Sequence, residues 1–286
     1  MFPVVFSVGS FAIHSYGLLL ALSFLVGVSF ASSRAKKMGL VSGVVSDVSF
    51  WIILSAIIGA RLYYVFLHFE EFSGNYSAIF NPFQGGSIGI GGLVMYGGLI
   101  GAIFGGFIFF RIHRVPFLPY ADAIAPTLGI GIFFTRIGCF LNGCCYGMPT
   151  ESSIGVKFPI MSPAGQYQVH MHANALIPSQ LFLSAGGILL AVIVILAAKK
   201  IKFEGFQFYL AGAIYSVIRF FVDFTRFYGA DERLFGLSHN QIVCIIIFVV
   251  FSGLILKNLI MPTAPDSDEK SIVTPETETI SDSDAD

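Results

Sequence analysis

Residues 179–198 read SQLFLSAGGILLAVIVILAA, and Lys199, Lys200 and Lys202 follow almost at once. An uncharged run of this length fits an α-helix that crosses a membrane, since a rise of about 1.5 Å per residue carries it across a hydrocarbon core of about 30 Å. The lysines mark the side on which it ends, because basic residues collect on the cytoplasmic side of short membrane loops.

The same pattern recurs along the chain. Of its 286 residues 55% are hydrophobic and 12% charged, and the mean hydropathy is +0.80. Soluble domains carry about 25% charged residues, so the composition excludes a soluble enzyme and gives no reason to expect a nucleic-acid partner. Seven spans are expected, near 12–31, 46–67, 90–110, 117–137, 179–198, 206–226 and 239–257. The fourth is the weakest, since Pro126, Gly129 and Gly131 interrupt it and Gly138 follows directly. The fold class is thus all-α, a polytopic membrane protein with seven transmembrane helices and external loop elaborations. The first residues lack a basic leader region, so the first apolar run reads as a span and not as a signal peptide.

Loop charges set the expected orientation. Arg34, Lys36, Lys37, Arg111, Arg114, Lys199, Lys200, Lys202 and Lys257 lie on one side, against Lys157 and Arg233 on the other. The N-terminus is therefore expected outside, with external segments at about 68–90, 138–178 and 227–238. The segment 70–90 could lie on the membrane surface as an amphipathic arm. The membrane domain covers 1–261. The tail, 262–286, holds eight acidic residues and one lysine, too little apolar material to offset the entropy of ordering, and reads as disordered and cytoplasmic.

Charges within or beside spans are costly and point to function. Arg61 sits in span two, Asp122 opens span four, Arg136 ends it, and Arg219, Asp223 and Arg226 share span six. Arg219 and Asp223 are an i, i+4 pair, which a bundle can use simply to neutralise two buried charges. The surplus of arginines points instead to an anionic ligand, and the planar guanidinium fork suits phosphate. Glycine adds a second signal. Gly101, Gly105 and Gly106 read as helix-packing positions. Gly97 and Gly98, next to Tyr96 at the outer end of span three, read as bare backbone that a ligand can approach.

The stretch 135–147, TRIGCFLNGCCYG, combines an arginine, an asparagine, three cysteines and three glycines at a membrane edge. It belongs to a series: YGLLLALSFLVG at 16–27, GARLYYV at 59–65, YGGLIGA at 96–102, ADAIAP at 121–126, PSQLF at 178–182 and IRFFVDFTR at 218–226. In this order the segments resemble those of the prolipoprotein diacylglyceryl transferase family, over nearly the whole chain apart from the tail. The arginine-isoleucine-glycine-x-phenylalanine-x-asparagine-glycine core is the most specific of them.

The resemblance implies a multi-pass enzyme of the bacterial inner (plasma) membrane. Such an enzyme moves diacylglyceryl from phosphatidylglycerol, or a similar anionic phospholipid, to the lipobox cysteine thiol of a lipoprotein precursor, and releases glycerol phosphate. It implies catalytic roles for Tyr96, Arg136 and Arg219, and substrate-binding roles for Tyr16, Gly97, Gly98, Asn142 and Gly147. Arg61, Asp122, Gln180 and Asp223 are implied as supporting residues, with Asp223 orienting Arg219. No metal and no organic cofactor is expected, because fixed positive charge stabilises the phosphate leaving group.

This chain departs from the family pattern at three places. Tyr96 stands where the family usually has histidine, Cys139 where it has asparagine, and Cys144 where it has glutamate. Two other readings follow. One is a catalytically altered paralogue that binds lipid or acts on another acceptor. The other is a membrane thiol oxidoreductase built on Cys139, Cys144 and Cys145, with His170 and His172 nearby. A disulfide bracing the loop is the simpler expectation for the cysteines, since C-x4-C-C is not a standard zinc spacing.

Overall fold

The computed structural model describes residues 4–8, 11–72, 74, 92–201, 203–226, 228 and 233–261. The tail from 262 onward, and the glycine-rich part of the expected surface arm at 75–91, lie outside the described residues. The chain is a helical bundle: α1 (Ser15–Lys37), α2 (Ser42–Leu67), α3 (Met95–Ile112), α4 (Phe117–Asn142), α5 (Pro163–His170), α6 (Ser179–Ala197), α7 (Phe206–Asp223) and α8 (His239–Ile260). Six of these, all but α5 and α7, are long and apolar enough to cross a membrane. The chain is accordingly an all-α polytopic membrane protein. α7 has 18 residues but carries Gln207, Arg219 and Asp223. It packs among the spanning helices, against α4, α6 and α8.

Bare backbone sets the closest helix contacts. α2 and α3 share the largest interface, where Gly59 of α2 meets Gly97 and Gly101 of α3, and Ser55 faces Gly101 and Gly105. A Cβ at any of these glycines would overlap the facing helix. Small residues four apart let membrane helices approach this closely. α4 and α6 repeat the arrangement at Gly129 and Gly187, and Ser184 Oγ donates to the Phe133 carbonyl at 3.1 Å across the same contact. Around these contacts lie small buried clusters, such as Ala31, Ala35, Val45, Tyr120 and Ala123 at one end.

Several expected boundaries move. α4 runs unbroken through Pro126 and continues to Asn142, so the fourth span is one of the two longest helices. The first begins at Ser15, because Phe11–His14 (β2) pairs with Val4–Val8 (β1) as an antiparallel hairpin. The third begins at Met95, and α7 ends at Asp223, leaving Arg226 beyond the helix.

The segment between α4 and α6 is a small folded unit. Pro149–Thr150 (β3) pairs with Ala175–Leu176 (β4), and Phe158, Leu176 and Ala164 of α5 form its core. Gln168 Oε1 accepts from the Phe158 amide at 2.7 Å. Between α7 and α8, Arg233–Leu234 (β5) and Leu237–Ser238 (β6) make a further hairpin. Ser238 caps α8 in a capping box with Gln241.

Candidate active site

α4 ends, α6 begins and α7 ends at one end of the bundle, and backbone hydrogen bonds stitch them together. Gly147 N–H donates to Ile177 O at 2.9 Å and Met148 N–H to Thr225 O at 2.8 Å. Ser179 Oγ and Thr225 Oγ1 lie 2.5 Å apart across the same seam.

α4 stops because Gly143 turns left-handed, with φ 71°. The Cys144 amide then folds back to the Cys139 carbonyl at 3.0 Å, a helix ending that favours glycine. Cys145 is also left-handed, at φ 59°, a conformation that costs a side-chain-bearing residue energy and persists only where its surroundings hold it. Two side chains do so. Gln180, fully buried on the first turn of α6, donates from Nε2 to the Cys144 carbonyl at 2.7 Å. Arg226 Nη2 donates to the Cys145 carbonyl at 3.4 Å. The Oε1 of Gln180 and the Nε of Arg226 are buried without a hydrogen-bond partner among the described residues.

This backbone brings the three thiols together. The Sγ atoms of Cys139, Cys144 and Cys145 all lie within 4.8 Å of one another, and all three are free. The disulfide expected here is not formed. Hydrogen bonds from the Cys139 and Cys144 thiols, then the charges of Arg226 and Arg136, hold the Cys145 thiol below the ordinary thiol range. Asn142, the last residue of α4, hydrogen-bonds the Cys144 thiol. His170 and His172 are exposed and are not among the converging ligand atoms.

Arg136 is half-buried, and its charge reaches both Cys145 and Tyr16. Tyr16 packs its backbone on Gly138 at the start of α1. Arg219 is buried, with Nη2 held 3.0 Å from Asp223 Oδ1, and its Nη1 is buried without a hydrogen-bond partner among the described residues. Asp223 in turn accepts from Tyr228 Oη at 2.7 Å and from Ser238 Oγ. The carboxylate therefore pairs with the guanidinium and also ties α7 to the start of α8. Arg136, Arg219, Asn142, Tyr16, Gln180 and Asp223 thus gather at one end.

The other candidates have surroundings of their own. Gly97 is buried against Gly59 and Tyr63, and Gly98 lies over Ala56 and Ala60. Gly97 is required by the close contact of α3 with α2, so its reading as an opening for a ligand gives way to packing, whereas Gly98 has room for a Cβ on its α2 side. A Cβ at Gly147 would overlap Ser179, Thr225 and Ile177, so glycine is needed where these backbones cross. Tyr96 is 62% exposed on the first turn of α3, and no hydrogen bond joins it to Arg136 or Arg219 among the described residues. Arg61 lies over the rings of Tyr64 and Phe72, at 5.7 and 5.5 Å, and holds the chain entering α3 through the Gly92 carbonyl. Asp122 lies about 21 Å along α4 from Arg136. It accepts from the Gly205 and Phe208 amides at 2.8 and 2.9 Å, capping α7 from another helix.

Sequence reasoning placed Arg226 in span six without giving it a task. Helical spacing from Arg219 gives no guide to it, because α7 ends at Asp223 and Arg226 lies in the turn beyond. Ser238 and Tyr228 gave no signal, because their partner Asp223 is reached only through the folded turn.

These features match known proteins. The family profile described as prolipoprotein diacylglyceryl transferase matches residues 3–257. The chain is 33% identical over 228 residues to phosphatidylglycerol–prolipoprotein diacylglyceryl transferase 1 of Clostridium perfringens, covering 79% of this chain and 83% of that protein. It is 31% identical over 261 residues to the enzyme of that name from Clostridium tetani, covering 91% and 98%. A second Clostridium perfringens transferase is 30% identical over 251 residues, covering 86% and 91%. With its arginines and asparagine at one bundle end and a match spanning nearly all its helices, the chain belongs to the prolipoprotein diacylglyceryl transferase family.

Proposed function

We propose that this protein transfers the diacylglyceryl group of phosphatidylglycerol to the cysteine thiol of a lipoprotein precursor. The acceptor sulfur attacks the glyceryl carbon bound to the phosphate oxygen. A C–S bond forms, the C–O bond breaks with its electron pair, and glycerol phosphate leaves while the thiol proton passes to the medium or a nearby base. Charge grows on the phosphate oxygens as the bond breaks, so preorganised guanidinium groups lower the barrier most.

The observation that carries this reading is Arg219: buried, aimed by Asp223 and with no hydrogen-bond partner for Nη1 among the described residues. A bidentate phosphate contact meets that need. Arg136 adds a second charge at the same end, and α6 begins there, presenting the positive end of its dipole. Asn142 suits hydrogen bonding to lipid or peptide, and Tyr96 hydroxyl contact with the headgroup or incoming thiol belongs to the same proposal. An apolar groove of about 650 Å³ between α6, α7 and α8, lined by residues such as Leu189, Ile193, Ile214, Val217, Phe248 and Ile255, suits an acyl chain. No metal or organic cofactor is required by this chemistry.

The membrane arrangement proposed with it counts α7 as a seventh span, places the N-terminus and the α4–α6 unit outside, and leaves the acidic tail in the cytoplasm. The host membrane is the bacterial plasma membrane, and the acceptor carries its cysteine in a lipobox.

The test is reconstitution in vesicles containing phosphatidylglycerol and a lipobox peptide. Mass spectrometry should show the peptide gaining one diacylglyceryl group while glycerol phosphate appears. A folded protein that binds the lipid but leaves every precursor peptide unmodified would establish the altered paralogue instead.

A further inference from the structure

C-x4-C-C is not a standard metal spacing, yet the fold makes a three-sulfur site. Cys139 lies in the last turn of α4, and Cys144 and Cys145 lie beyond the reversal at Gly143. Their Sγ atoms come within 4.8 Å of one another. Three thiolates around one ion at a metal–sulfur distance of about 2.3 Å stand about 4 Å apart, so small side-chain adjustments suffice to close the set.

The backbone around these sulfurs is held at every residue that matters. Gly143 supplies the left-handed turn, Gln180 fixes the Cys144 carbonyl, and Arg226 reaches the Cys145 carbonyl. Asn142 contacts the Cys144 thiol. Supporting bonds of this kind hold ligands in place around a metal. Charge agrees with the geometry. Three thiolates around a monovalent or divalent cation leave a net negative cluster, and Arg136 and Arg226 stand beside it to balance that charge.

We infer that Cys139, Cys144 and Cys145 bind one thiophilic d10 cation, of the class of Cu(I) or Zn(II). The donor set is soft, with no carboxylate or imidazole among the converging ligand atoms of the described residues, which selects against magnesium and calcium. Coordination forms three metal–sulfur bonds and releases the protons that the thiols still carry. The site is independent of the transferase reading, because the ligands are this chain's own sulfurs and the measurement reads metal and not lipid transfer.

The experiment uses the full-length protein in detergent micelles, reduced and then freed of reductant without air. Zn²⁺ and Cu⁺ are titrated separately against a chromogenic chelator. One chelator-resistant equivalent per chain is expected with at least one of the two ions. It should be lost in Cys144→Ser and in Cys145→Ser and kept in Cys244→Ser, whose sulfur lies in α8. Arg226→Gln should weaken binding by about tenfold, as changes beside metal ligands do. Absence of a bound equivalent with both ions overturns the inference, as does one that survives Cys144→Ser and Cys145→Ser combined. Wild-type protein alone supplies a further arm, which does not depend on the variants folding. Zn²⁺ or Cu⁺ should slow alkylation of the exposed Cys145, and an unchanged rate with both ions overturns the proposal.

Discussion

Gln180 and Cys144 are joined by a 2.7 Å hydrogen bond from a fully buried side-chain amide to a loop carbonyl. The bond ties the first turn of α6 to the loop that follows α4. A hydrogen bond of this kind contributes about 0.5–1.5 kcal/mol, and truncating the side chain also leaves a gap at the buried Gln180 position. Gln180→Ala should therefore lower the thermal midpoint in detergent by several degrees and reduce transfer. Gln180→Glu, which sets a carboxylate oxygen against the carbonyl, should be worse. A midpoint unchanged in both variants would show that the bond contributes nothing.

If the arginines hold the phosphate, charge alone is not enough. Arg136→Lys and Arg219→Lys should each insert normally and lose about a hundredfold in transfer rate, the usual effect of removing one preorganised donor. Lysine keeps the charge but lacks the planar fork. Near-normal turnover of a lipobox peptide by both variants would remove the phosphate role.

Tyr96 is the sharpest test of the departure from the family pattern. Tyr96→Phe keeps the ring that anchors α3 and removes only the hydroxyl, and transfer should fall by about tenfold or more, as for a lost polar contact in the transition state. Tyr96→His should match or exceed the wild-type rate. Equal rates for tyrosine and phenylalanine would make the hydroxyl idle.

At Gly101 the expectation concerns stability. A Cβ there would overlap the Ser55 carbonyl of α2, and overpacking a tight contact costs about 1–3 kcal/mol. Gly101→Ala should lower the thermal midpoint, while Gly253→Ala, on an open face of α8, should not. Equal midpoints would mean that the α2–α3 contact yields easily.

Asp122→Ala should destabilise by about 1–2 kcal/mol, the usual effect of losing a helix cap. Hydrogen exchange should quicken first at the start of α7. Unchanged protection of the Gly205 and Phe208 amides would contradict the capping role.

The spans were legible in the sequence because twenty uncharged residues leave a helix little alternative in lipid. The Arg219–Asp223 pair was equally legible, since its spacing alone puts both groups on one face. The hairpin at Val4–His14 was not: its apolar alternation merges with the run that follows. Nor was the continuity of α4 through Pro126, which depends on packing against α1 and α6. Gly97 was misread because a glycine in lipid looks the same whether a ligand or a helix occupies the space beside it. The gathering of the thiols was hidden for a different reason: it needs the left-handed turns at Gly143 and Cys145, and neither follows from spacing.

The Asp122 cap bears on how the protein is made. Chains grow from the N-terminus, so α4 is synthesised before α7 emerges. Gly205 and Phe206, where α7 begins, are buried in the finished bundle, and a carboxylate is already present at the place where the Gly205 and Phe208 amides stop. A rearranged gene that encoded α7 ahead of α4 would deliver those amides with no acceptor. Such a chain should linger at the insertion machinery and fall to quality-control proteolysis, even though every contact of the finished bundle is still encoded.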